Sequence, residues 1–251
     1  MLTRTSILSI TVLFASIFLM SCTNTQSGDS GMNDSQMAAQ MDDDIITAED
    51  QEELTPQQVI EDLKAGNERF VNSELTNYDY MAQVEKTSSG QFPEAVVIAC
   101  IDSRVPVEAI FDRGIGDIFV ARVAGNFVNE DILGSTEFGT AVAGSKAVIV
   151  MGHEHCGAVK SAIDDVELGN ITAMLSKIKP AVEIAEEQYE GDNETSENSE
   201  YVTEVVNTNV RYTIEQMRER SSIIADLERN GDVVIAGAFY DLDTGVVTFL
   251  D

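Results

Sequence analysis

The chain has 251 residues, 44 of them acidic and 15 Lys or Arg, for a formal charge of −29. That balance argues against a nucleic-acid partner and against binding of anionic headgroups through the protein surface, and it points to no substrate. The length allows one or two domains, and the character of the amino terminus shortens the folded part.

Residues 1–21 hold one basic residue, Arg4, followed by an apolar run from Ile7 to Met20. This is a short apolar region with small residues before a cysteine, so it reads as an export signal and not as a spanning helix. No Ala-x-Ala-like cleavage site closes the run. Leu19-Met20-Ser21-Cys22 instead resembles a bacterial lipobox. The resemblance implies lipidation at Cys22 and a periplasmic or cell-surface protein held to a bacterial membrane by the lipid alone, the alternative being an ordinary secretory signal with an incidental cysteine. Thr23 to Glu53 shows no apolar periodicity and contains Asp42-Asp43-Asp44. Such a stretch cannot bury enough surface to offset its ordering entropy. Residues 22–54 therefore read as a flexible acidic and polar tether, with an arm packed on a partner subunit as the alternative.

Thr55-Pro56 starts a helix, Thr as cap and Pro at the first helical position, with Val59, Leu63 and Phe70 near one face. Ala95 to Ala99 is a continuous apolar run, hence a buried strand ending at Cys100. Asp117 to Val123 is a second strand. Asp131 to Val142 reads as a helix with Ile132, Thr136 and Phe138 pointing inward. Lys146 to Met151 is a third buried strand, ending just before His153, and Cys156 opens the helix that follows. Helices are expected over 171–187, 201–219 and 221–230, with an acidic loop over 191–200. Val233 to Tyr240 and Val246 to Leu250 form a closing hairpin around Asp243-Thr244-Gly245. Strands alternating with helices predict an α/β fold, a single domain over 55–251 with a mostly parallel central sheet flanked by helices.

Two segments carry chemistry. Cys100-Ile101-Asp102-Ser103-Arg104 follows the first strand, and His153-Glu154-His155-Cys156-Gly157 follows the third. Cys100, His153 and Cys156 offer two thiolates and one imidazole, three ligands for a zinc ion with one position left open, which is the pattern of a catalytic site. With Cys22 lipidated, the remaining two cysteines of an exported protein would by default form a disulfide, but the neighbouring His, Asp and Arg at fixed spacing override that default. Asp102 and Arg104 form a carboxylate–guanidinium fork that keeps Asp102 ionised and oriented, or else an ordinary surface ion pair. His155 lies between ligands and reads as a bystander; Glu154 reads as solvated.

Cys-x-Asp-Ser-Arg with His-x-x-Cys-Gly closely resembles the signature of the β-class carbonic anhydrases. Gly114 to Asp117 and Arg122-Val123-Ala124-Gly125-Asn126 match further blocks of that family. The resemblance implies one zinc per chain held by Cys100, His153 and Cys156, with Asp102 and Arg104 as catalytic dyad and Asp102 as fourth ligand in a closed form. It also implies that Gln91 hydrogen-bonds substrate and that Phe119 lines the CO2 pocket, usually of the neighbouring subunit. Phe138 stands where plant-like members carry Tyr. The absence of Trp from the chain places it with the open, plant-like type. The implied activity is reversible hydration of CO2 to bicarbonate through zinc-bound hydroxide, in a homodimer or dimer of dimers. The alternatives are hydrolysis of CS2 or COS at the same site, and a non-catalytic zinc-binding lipoprotein.

Overall fold

The apolar runs around Cys100 and His153 lie side by side at the centre of a five-stranded sheet. The computed structural model describes residues 41–250. The signal segment 1–21, Cys22 and residues up to 40 of the tether lie outside the described residues. In chain order the elements are α1 (Ala48–Glu53), α2 (Pro56–Val71), α3 (Tyr80–Thr87), β1 (Ala95–Ala99), α4 (Val107–Ile110), β2 (Ile118–Arg122) and α5 (Glu130–Glu137), the last continued by a π-helical turn, Phe138–Val142. Then come β3 (Ala147–His153), α6 (Gly157–Ile163), α7 (Gly169–Leu175), α8 (Lys179–Gln188), α9 (Ser199–Arg220), α10 (Ser222–Asn230), β4 (Val234–Tyr240) and β5 (Val247–Leu250).

The strand order is β2-β1-β3-β4-β5. The first three pairings are parallel and only β4–β5 is antiparallel. Every residue of β1 and β3 is buried. Both strands are covered on both faces, which is why they read as unbroken apolar runs and not as alternating ones. Each fully buried Val, Ile or Met there contributes about 1.5–3 kcal/mol of transfer free energy. The chain leaves β1 toward β2 on one side and reaches β3 on the other, so the strand order reverses beside the carboxyl end of β1. Open α/β sheets place their ligand crevices at such a point.

Three expectations need correction. Residues 42–54, read as part of the tether, are built onto the domain. Thr47 and Asp50 close a capping box on α1. Gln51 is buried and its amide donates to the carbonyls of Pro93 (2.7 Å) and Ala143 (3.0 Å). The Gln83 amide donates to the Asp44 carbonyl at 2.8 Å. These anchors are polar, so a search for apolar periodicity misses them. The helix expected over 171–187 is two helices, because Pro180 starts α8 and a proline cannot continue a helix through its own missing N–H. Phe138, expected to face inward, is 55% exposed on the π-helical turn.

Candidate functional site

Cys100 is the first residue beyond β1, and His153 is the last of β3. The register pairs Ala99 with Met151, which brings Cys100 alongside the end of β3. Gly152 matters for the same place. A Cβ there would stand 2.6 Å from Cγ1 of Val206, so only glycine lets α9 lie this close behind the histidine. After His153 the chain turns back through His155, held at φ 52°, and delivers Cys156 as the cap of α6.

The result is a triad whose ligand atoms all lie within 4.8 Å of one another. His153 is fully buried, Cys156 nearly so, and Cys100 is 4% exposed. Neither sulfur is in a disulfide. The His153 Nδ1 lies 2.8 Å from the Glu154 carbonyl, which makes Nδ1 the protonated nitrogen and leaves the Nε2 lone pair aimed at the sulfurs. That Nε2 is buried and has no hydrogen-bond partner among the described residues. A buried acceptor without a partner, next to two thiols, is what a metal ligand looks like before its metal is counted. Two thiolates and one neutral imidazole are the donor set that zinc prefers. The residues fit zinc.

The two sulfurs differ. Hydrogen bonding from the Cys156 thiol, working against burial, lowers the Cys100 pKa to about 4, with help from His153 and the backbone N–H groups of Gly125 and Asp102. Cys156 faces that charge in a buried position and is pushed up. The Gly125 N–H reaches Cys100 Sγ at 3.4 Å. Gly125 has φ +84°, and a Cβ on it would collide with the Ile178 side chain, so this donor requires a glycine.

Asp102 and Arg104 form a complete fork. Arg104 Nε donates to Asp102 Oδ1 at 3.0 Å, Nη2 donates to Oδ2 at 2.8 Å, and the Arg104 backbone N–H donates to Oδ1 at 2.9 Å. The guanidinium, opposed in part by burial, holds the Asp102 carboxyl well below the usual carboxylate range, with the Arg104 backbone N–H adding to the effect. The same carboxylate has Oδ2 4.0 Å from His153 Nε2. It is therefore beside the triad yet tied away from it. An isolated surface pair would have no such neighbour.

Arg122, the first residue of the Arg122-Val123-Ala124-Gly125-Asn126 block, has a role that the linear sequence does not show. It ends β2, and its Nε donates to the Cys100 carbonyl at 2.8 Å while Nη2 donates to the Asp102 carbonyl at 2.6 Å. It braces the loop that carries both Cys100 and the Asp102–Arg104 pair. A charged residue closing an otherwise apolar strand was the available signal. Glu154, read as solvated, accepts the Leu242 N–H through Oε2 at 3.2 Å, while its own N–H bonds the Tyr240 carbonyl. It clips the turn after His153 to the end of β4. His155 is 45% exposed at its side chain and points away from the sulfurs to the Glu154 carboxylate, at 3.4 Å.

Gln91, Phe119 and Phe138 are not brought to the triad within one chain. The rings of Phe119 and Phe138 are tilted against each other with centroids 6.3 Å apart. Together with Val96 and Ile132 they line a cavity of about 640 Å³ whose walls include none of Cys100, Asp102, His153 and Cys156. Phe119 pairs with Val96, three strand positions before the Ala99–Arg122 pair that borders the site. Gln91 is exposed in the loop before β1.

Residues 95–247 match the carbonic anhydrase family model. The chain belongs to the carbonic anhydrase family. Carbonic anhydrase 2 of Mycobacterium tuberculosis is 32% identical to it over 198 residues, covering 75% of this chain and 90% of that protein. Among solved structures, a β-carbonic anhydrase of Aspergillus fumigatus superposes with a TM-score of 0.62 at 22% identity, over 78% of this chain and 90% of that one. The tetrameric β-carbonic anhydrases of Sordaria macrospora superpose with a TM-score of 0.60 at 23% identity, over 77% and 94%. The fold is thus that of the β class. The triad lies inside the matched segment of this carbonic anhydrase family member, at the point of its sheet where the strand order reverses.

Proposed function

We propose that the chain is a zinc-dependent carbonic anhydrase that interconverts CO2 and bicarbonate, with Cys100, His153 and Cys156 as its zinc ligands and Asp102 and Arg104 as its catalytic dyad. The observation that carries the reading is the joint geometry: a buried soft-donor triad with an unpartnered Nε2, and beside it a carboxylate tied back by a bidentate arginine. Zinc bound there supplies Lewis acidity that acidifies water and so furnishes a nucleophile for CO2 near neutral pH. The chain's own residues do the rest. The Gly125 N–H and the surrounding apolar side chains hold the Cys100 sulfur in place and away from bulk water. Asp102 presents an ionised, oriented acceptor to the attacking water. Arg104 keeps that carboxylate from closing on the open position. Stopped-flow hydration of CO2 should be fast with zinc bound, fall to background with chelator, and return on adding zinc. Full activity after verified removal of the metal overturns the reading.

The missing pocket wall supports an assembly of at least two chains, in which Phe119, Phe138 and Gln91 serve the triad of the partner subunit. Light scattering at assay concentration should give a dimer or a pair of dimers, and an active monomer would contradict it. Export and anchoring rest on the segment before residue 41. Lipidation at Cys22 would place the domain at a bacterial membrane, periplasmic or at the cell surface. The protein should incorporate labelled palmitate and become soluble in Cys22→Ala; recovery of an unlabelled chain that retains Met1 from the cytosol argues the opposite.

A further inference from the structure

Behind the loop that carries Gly125 lies a second cavity, of about 240 Å³, that the carbonic anhydrase reading does not use. Its walls are the Phe127–Val128 segment, the link between α7 and α8, and one face of α9. The polar side chains among them are Ser176, Lys177, Tyr212, Thr213, Gln216 and Arg220. In a chain of net charge −29, the only formally charged residues lining this cavity are two cations.

Thr213 is 1% exposed, and its hydroxyl has no hydrogen-bond partner among the described residues. A buried hydroxyl left in that state is costly, and native structures seldom keep one without a ligand or water to meet it. The same condition holds nearby. The donor Nδ2 of Asn126, one residue before the cavity wall though not part of its lining, is also buried without a partner. Lys177 makes no ion pair among the described residues. Arg220 donates to the Val128 carbonyl at 3.3 Å and to Glu130 Oε1 at 3.0 Å. Two bonds leave most of its five N–H donors available. The Glu130 side chain is 88% exposed and is not part of the cavity lining, so its charge is well screened by solvent.

We propose that this cavity binds a small oxyanion, with Lys177 and Arg220 as its cationic partners and the Thr213 hydroxyl as a buried donor. Hydroxyl, amide and guanidinium donors around a cation suit an acceptor-only ligand with several oxygens. The volume admits a phosphate or a short carboxylate and lies below the roughly 300–1,000 Å³ usual for drug-sized ligands. The site also abuts the metal loop. Asn209 Nδ2 donates to the Gly125 carbonyl at 2.9 Å, and the Gly125 N–H meets the Cys100 sulfur. The proposal does not depend on the reaction at the zinc centre.

The test is a titration of the zinc-loaded, isotope-labelled protein with inorganic phosphate and, separately, with acetate, followed by backbone amide shifts. Saturable shifts are expected at Val128, Lys177 and Thr213 with at least one of the two anions; phosphate alone identifies a tetrahedral ligand and acetate alone a carboxylate. Affinity should drop about tenfold or more in Lys177→Gln and in Thr213→Val, the loss typical of a charge-assisted hydrogen bond. Thr213→Ser should retain it. Thr213→Val removes an unpartnered hydroxyl at constant shape, so its melting temperature without anion should be no lower than that of the parent. Shifts confined to the surroundings of Cys100, His153 and Cys156, shifts that do not saturate, or unchanged affinity in both Lys177→Gln and Thr213→Val would each overturn the site.

Discussion

Cys156→Ala is expected to lose zinc and CO2 hydration together. Losing an outer partner of a metal ligand typically costs about 10–100-fold in affinity or activity, and losing one of only three protein ligands costs more than that. Cys100→Ala and His153→Ala should behave alike, since each removes one corner of the same triad. His155→Ala is the control. Its ring points to Glu154 and away from the sulfurs, so the variant should bind one zinc per chain and hydrate CO2 as the parent does. Metal analysis by atomic absorption alongside stopped-flow hydration separates the outcomes. Stoichiometric zinc in Cys156→Ala, or zinc lost from His155→Ala, would show that the ligand set has been misassigned.

Arg104→Ala should keep its zinc and lose roughly 10–100-fold in hydration, the range for groups that orient a metal site from outside it. An exposed ion pair with no role in chemistry would cost about 0–1 kcal/mol of stability and leave the rate alone. Arg104 is 53% exposed at its side chain, so its removal opens no cavity and the fold should survive. The sign of the pH effect follows from what the arginine does. The Arg104 side chain is the largest single cause holding the Asp102 carboxyl below its ordinary value. Without it Asp102 takes up its proton at a higher pH than in the parent. As pH falls, activity that needs the carboxylate should therefore disappear earlier in the variant, and the acid limb of the rate profile should move upward. Freed from the fork, the carboxylate can also turn toward His153, whose Nε2 is already 4.0 Å from Oδ2. Asp102→Asn should likewise keep metal while losing the ionised acceptor. Parent-like hydration in both variants across the working pH range would make the pair structural only.

Much of this site is legible in the linear sequence because its parts are local. Cys100-x-Asp102-x-Arg104 closes its fork within five consecutive residues, so the spacing alone puts the guanidinium over the carboxylate. The buried strands announce themselves because a strand covered on both faces needs apolar residues at every position. Thr55-Pro56 and the Asp243-Thr244-Gly245 turn carry their signals in adjacent residues, and both appear where expected. One error came where a helix is held by something other than an apolar stripe. The helix α1 depends on a capping box and on Gln51 reaching carbonyls 42 and 92 residues away.

Residue chemistry and short spacings by themselves picked out the two cysteines and the histidine, the Asp102–Arg104 pair, the alternation of strands and helices and the acidic character of the chain, since each is carried by residue type or by near neighbours in sequence. Tertiary structure alone decided the rest. It placed β1 against β3 so that Cys100 meets His153, set Arg122 under the loop, brought Gly125 to the sulfur, and left Phe119 and Phe138 away from their own chain's triad. The reason is that hydrogen bonds from Arg122 to Cys100, from Gly125 to Cys100 and from Asn209 to Gly125 join residues 22, 25 and 84 positions apart. Side-chain type constrains what such groups can donate or accept, but only the strand order and the packing of α9 on the sheet decide which of them meet.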